Sequence, residues 1–109
     1  MKTITIGLAS LLMTSLAQAA GGYLVTGATV SNVFNTSANL PQFAITVVGG
    51  TGPCANTTIV FPQSSAPDAD TFKRAYAQVL LALTNGMHIN VYNFTDVTCN
   101  FASYINLYQ

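Results

Sequence analysis

Near the C-terminal end, polar and aromatic side chains recur at strand spacing. His88, Asn90 and Tyr92 alternate through one short β-pattern, and Tyr104, Asn106 and Tyr108 through another. Residues two apart in an extended strand project from the same face. If the two strands share a sheet, the two triplets make one field of rings and amides. Aromatic rings stack on the apolar faces of sugars, and an amide both donates and accepts hydrogen bonds. Carbohydrate is the ligand this chemistry suits. A solvated outer face, or an interface with another subunit, would draw on the same residue types.

Catalytic chemistry finds less support. His88 is the sole histidine, and its neighbours at strand spacing are Asn90 and Tyr92 rather than an acid. A Ser/His/Asp set would have to combine His88 and Asp96 with a serine that no nucleophile elbow exposes. Paired carboxylates for glycoside hydrolysis would have to come from Asp68, Asp70 and Asp96, and the first two are explained by a helix start. No enzyme is expected. Metal binding would need ligands beside Cys54 and Cys99, but His88 lies eleven residues from Cys99 and no CxxC spacing occurs. Neither a metal nor a cofactor is expected.

The cysteines instead suit export. Lys2 gives a positive start, Ile4–Leu16 is an uncharged apolar stretch of thirteen residues, and Ala17-Gln18-Ala19 offers small side chains to a signal peptidase. The stretch is short for a permanent membrane helix. Residues 1–19 are therefore expected to be a signal peptide of bacterial type, and residues 20–109 one domain, secreted or periplasmic, with no integral membrane segment. In an oxidising compartment Cys54 and Cys99 are expected to pair.

From Ala20 onward there are two cations, Lys73 and Arg74, against three acids, Asp68, Asp70 and Asp96, a formal charge of −1. That balance excludes the clustered basic surface a nucleic-acid binder needs. Copies of so weakly charged a domain repel one another little, which favours self-association.

The elements that must position the candidate face follow from pattern. Tyr23–Phe34 reads as a strand interrupted at Gly27, where a bulge or sharp bend is expected. A turn spans Asn35–Pro41. Phe43–Val48 and Thr57–Phe61 read as the second and third strands. Ala66–Asn85 is predicted as the single helix, with Ser65 and Asp68 as a capping box, Pro67 in the first turn and Gly86 at the C-terminal end. Phe72, Ala75, Tyr76, Val79, Leu80 and Leu83 form its core stripe, while Ala77, Leu81 and Ala82 stand on the other side, where helices of neighbouring subunits would pack. His88–Phe94 and Ala102–Tyr108 complete five strands. The expected fold is α+β, mainly β: a five-stranded OB-like Greek-key barrel with one helix between strands 3 and 4. Sequons at Asn35, Asn56 and Asn93 read as turn and strand asparagines rather than glycosylation sites.

The helix segment Phe72–Gln78, continuing through Thr84-Asn85-Gly86 into Ile89-Asn90-Val91-Tyr92-Asn93, resembles the B subunits of subtilase cytotoxin and typhoid toxin. The segments Gly52–Asn56, Lys73–Tyr76 and Ala102–Ile105 are similar to those of a family of small secreted bacterial proteins without an established activity. The toxin resemblance implies an exported OB-fold domain that forms rings of five and binds sialylated glycans. It also implies sugar contacts at Thr26-Gly27, where the toxins carry Ser-Gly, and at Tyr92. The expected function is thus a non-catalytic binding module, glycan-binding and pentameric. The alternative is a small envelope protein that holds a protein partner with the same surface.

Overall fold

Strand β1, Gly22–Asn35, is long enough to serve two neighbours. Its C-terminal half pairs antiparallel with β2 (Gln42–Val48), from Thr29↔Val48 to Asn35↔Phe43. Its N-terminal half pairs with β4 (His88–Asn93), from Gly22↔Asn93 to Thr29↔His88. With β3 (Thr58–Pro62) beside β2 and β5 (Tyr104–Tyr108) beside β4, the sheet order is β3-β2-β1-β4-β5. The single helix α1 (Ala69–Asn85) lies between β3 and β4. The structure is a computed structural model that describes residues 21–36 and 40–109; the expected signal peptide and the middle of the Asn35–Pro41 turn lie outside them.

β1 bends because its register slips three times, against β4 between Tyr23 and Val25 and between Thr26 and Ala28, and against β2 between Val30 and Asn32. Leu24 and Val25, adjacent in sequence, are both fully buried, so both faces of β1 are covered at this point. Gly27 has φ +73°, a left-handed conformation that costs a side-chain-bearing residue roughly 1–2 kcal/mol. Beyond Val48 the chain turns back onto β1. Thr26 and Thr51 exchange backbone hydrogen bonds of 2.9 and 3.0 Å, and Cys54 N–H donates to the Leu24 carbonyl at 2.9 Å. Between them Gly52 passes so close that a Cβ would stand 2.6 Å from the Leu24 carbonyl oxygen. Only glycine fits.

The strand ladder stops short of a closed cylinder, since β3 and β5 do not pair as strands. Residues 99–102 fill the gap: Val60 N–H donates to the Cys99 carbonyl at 2.8 Å, and Ala102 N–H donates to the Val60 carbonyl at 3.0 Å. This is why β5 begins at Tyr104 and not at Ala102. Ala102 N–H is already spent on β3, while Ser103 N–H donates to the Tyr92 carbonyl of β4 at 3.1 Å and leads into the β4–β5 ladder. The Cys54–Cys99 disulfide ties the same segment to the turn that follows β2.

Inside the curl, Phe43 of β2 stacks on its cross-strand partner Phe61, ring centroids 4.7 Å apart. The helix covers this core with Ala75, Val79 and Ala82. Ala82 therefore faces inward, contrary to the sequence reading, whereas Tyr76, Leu80 and Leu83 of the predicted stripe remain about 40% exposed. Small residues let the helix approach the sheet closely, so its axis is rotated toward the alanines. The helix also starts later than predicted. Asp68, not Ser65, is the N-cap, accepting from Thr71 N–H at 2.7 Å, and Ala66 is extended. Gly86, left-handed, closes the far end.

The disulfide joins residues 45 apart, and loop-closure entropy assigns such a link ~4 kcal/mol. For a domain this small that is a large part of total stability. Reduction, or Cys54→Ser with Cys99→Ser, is expected to lower unfolding free energy by about that much, measured by urea titration of oxidised and reduced protein.

Candidate functional site

β4 and β5 do share a sheet, and their register sets the predicted residues in facing pairs: His88↔Tyr108, Asn90↔Asn106 and Tyr92↔Tyr104. Ile89 and Val91 point the other way and are fully buried. β1 extends the face, placing Thr26 opposite Asn90 and Tyr23 opposite Tyr92. All eight residues singled out from sequence as ligand contacts thus fall on one side of three adjacent strands.

Two districts divide that side. At one end Tyr92 meets Tyr23 edge-to-face at 5.0 Å between centroids and Phe94 at 5.1 Å. With Tyr104 these rings line an open depression of about 270 Å³. Tyr23 and Phe94 are both more than half exposed. Edge-to-face pairs are worth about 0.5–1.5 kcal/mol beyond the area they bury, so the rings hold one another in place. Sequence reasoning missed Tyr23 and Phe94. The signal for Tyr23 lay in strand pairing, which puts the second residue of β1 beside Tyr92, and that for Phe94 in the alternation of the His88–Phe94 pattern, which places it two residues beyond Tyr92.

The second district is amide and hydroxyl. Gly27 N–H donates to Asn90 Oδ1 at 2.9 Å, which explains what the Thr26-Gly27 step does here: the bulge aims its amide at the face. The Thr26 and Thr51 hydroxyls hydrogen-bond at 2.9 Å, and the His88 and Tyr108 rings lie 5.7 Å apart. Asn106 Oδ1 is enclosed without a hydrogen-bond partner, the one such side-chain atom among the described residues. An unsatisfied buried acceptor costs about 1–3 kcal/mol.

Phe94 is presented by a loop built on Asn93, which is 1% exposed. Its Nδ2 donates to Asp96 Oδ1 at 2.7 Å and to the Thr98 carbonyl at 3.2 Å, while its Oδ1 accepts from Thr95 N–H and Oγ1. Asn93 is thus a strand asparagine, as its sequence position suggested, with its amide engaged within its own loop. Asn56 is likewise a turn residue, with φ +57° and its Oδ1 accepting from Gly49 N–H.

The helix edge of β5 carries a separate cleft of about 240 Å³, in which Thr71, Arg74 and Gln78 face Ser103 and Tyr104. Among the described residues no three His, Cys, Asp or Glu side chains gather as a metal site would need. No described helix is long and apolar enough to cross a membrane.

Fold and face together define a small disulfide-linked domain with an OB-like curled sheet and an aromatic and amide outer surface. The chain belongs to DUF5992, a family of unknown function, whose match covers residues 3–109. Neither a curated protein nor a solved structure matches it.

The Phe94 loop is tied in part by the Asp96 carboxylate. Backbone and hydroxyl hydrogen bonds from Thr98, with a further one from Asn93, hold the Asp96 carboxyl below its ordinary value of 3.8. Asp68 is lowered likewise by the Thr71 bonds at the helix start. A carboxylate favoured in the folded state stabilises it above the unfolded pKa and loses that contribution as pH falls. The melting temperature is therefore expected to show no loss from these groups above about pH 5 and a decline below pH 4. In Asp96→Asn the decline should shrink to the share of Asp68, read by calorimetry across pH.

Proposed function

We propose that this protein is an exported, non-catalytic binding module that takes carbohydrate on the outer face of β1, β4 and β5. The observation that carries the reading is the ring cluster of Tyr23, Tyr92, Phe94 and Tyr104 beside a row of amides. A sugar laid on the rings would bury its C–H face there and turn its hydroxyls toward the Asn90 and Thr26 side chains. Sheet residues supply this surface with little ordering cost, which suits a weak ligand such as a single sugar. The resemblance of Thr26-Gly27 and Tyr92 to the sugar contacts of toxin B subunits supports the same placement. The disulfide and the signal-like N-terminus support a secreted or periplasmic location.

Exposed Leu80, Leu81 and Leu83 on the helix favour a second element of the proposal, self-association through α1, for which a ring of five is the form implied by the toxin resemblance. Native mass spectrometry reads that number directly. The competing reading, an envelope protein that holds a protein partner on the same face, makes a different prediction in the binding assay.

On a glycan array, the disulfide-bonded protein is expected to bind a subset of sugars, and Tyr92→Ala to weaken that binding by tenfold or more, as loss of a central aromatic contact does. Silence on the array, with a protein captured through the same Tyr92-dependent face, would favour the alternative.

A further inference from the structure

A groove of about 410 Å³ opens between the β1–β2 end of the sheet and the first turns of α1, and it shares no residue with the ring cluster of β1, β4 and β5. Its apolar lining is Leu40, Pro41, Phe43, Phe72 and Tyr76, and Lys73 stands among them. Its size falls within the range of small-molecule sites.

Three observations define what it fits. The floor is Phe43, 2% exposed and backed by the stacked ring of Phe61, so it does not yield. The flanking rings are tilted against that floor, Phe72 by 49° at 5.5 Å and Tyr76 by 67° at 5.0 Å. Tilted walls leave no parallel slot for a flat ring or a sugar, but a flexible chain of methylenes follows them. The polar lining is confined to one rim, where Asn35 stands beside Gln42, whose amide already donates to Thr36 Oγ1 at 2.6 Å. One charge remains at the mouth, that of Lys73. A lysine lays its stem along apolar surface and keeps its ammonium in water, which sets a cation where a chain entering the groove would end. Of the acids from Ala20 onward, Asp68 is engaged at Thr71 and Asp96 at Asn93 and Thr98, which leaves Asp70, three residues before Lys73 on the helix, as the one that competes for its ammonium.

We propose that this groove binds a free medium-chain fatty acid, its aliphatic body against Phe43, Phe72 and Tyr76 and its carboxylate at Lys73 Nζ. An anionic membrane is the poorer fit: surface attraction grows by about 1 kcal/mol per basic residue, and the groove offers one lysine in a concave setting. The half-exposed Leu40 and Tyr76 at the lip are then the surfaces the ligand covers.

The test is a titration of the ¹⁵N-labelled, disulfide-bonded protein with decanoate below its micellar concentration, followed by amide shifts. Saturable shifts are expected at Leu40, Phe43, Phe72 and Tyr76 and not at Tyr92 or Tyr104. Decanol, with the same chain and no charge, should bind up to about fivefold more weakly, the scale of one solvent-exposed ion pair. Lys73→Gln should erase the difference between acid and alcohol, and Tyr92→Ala should leave decanoate binding unchanged. The proposal is overturned if decanoate gives no saturable shift, if the shifts map to β4 and β5, if acid and alcohol bind alike in the native protein, or if vesicles of anionic phospholipid occupy the groove in preference to decanoate. Failure of decanoate to bind the groove leaves the sugar-binding face untouched, since that face is tested separately on the array.

Discussion

Two backbone hydrogen bonds on Val60 hold this fold in its curled form. A five-stranded sheet ending at β3 and β5 would leave two unpaired edges, each a template for aggregation. Here one edge is covered from within: the Cys99 carbonyl and the Ala102 amide bracket Val60 of β3, and the disulfide anchors Cys99 to Cys54. Because Cys54 N–H is in turn bonded to the Leu24 carbonyl, the closing segment is tied to the central strand β1. Chain ends that would splay in a flat sheet are brought together at one place.

The outer face depends on that closure in a direct way. β5 emerges from the 99–102 segment with its phase already set, so Ile105 points inward and Tyr104, Asn106 and Tyr108 point outward. A slip of one residue would exchange the two sets, placing tyrosines in the core and an isoleucine on the surface. β4 is fixed between β5 and the bent half of β1, and the bulge at Gly27 that permits the bend also turns the Gly27 amide toward Asn90. Curvature and polar presentation have a common origin in one glycine. Tyr23, Tyr92 and Phe94 then order one another by edge-to-face contact, with Phe94 supplied by the loop that Asn93 organises.

Much of this was legible in the residues. Alternation marked β4 and β5 and put the right side chains on a common face, since a period of two survives any uncertainty in strand ends. Gly27 announced a break in β1, and two cysteines in an export-type chain left one pairing. Other features were not local and left no local sign. The covering of Val60 by residues 99–102 shortens β5 for a tertiary reason, so the pattern from Ala102 read as strand when its first two residues are not. The helix stripe was misread because Leu80 and Leu83 are more apolar than Ala82, yet close approach to the sheet selects the smaller side chain. Asp68 displaced Ser65 as cap because its carboxylate reaches Thr71 N–H, leaving Pro67 outside the helix. Tyr23 joined the ring cluster through strand pairing, which is not visible along the chain, whereas Phe94 continues the alternation of His88, Asn90 and Tyr92 although β4 itself ends at Asn93.

Hydrogen exchange at single amides measures the closure itself. If residues 99–102 seal β3 as described, the amides of Val60 and Ala102 exchange as slowly as those of the central strand β1. Exchange of those two amides at the rate of the Gly49-Gly50 turn, while β1 stays protected, would mean the curl is open and the account of how the face is positioned is wrong.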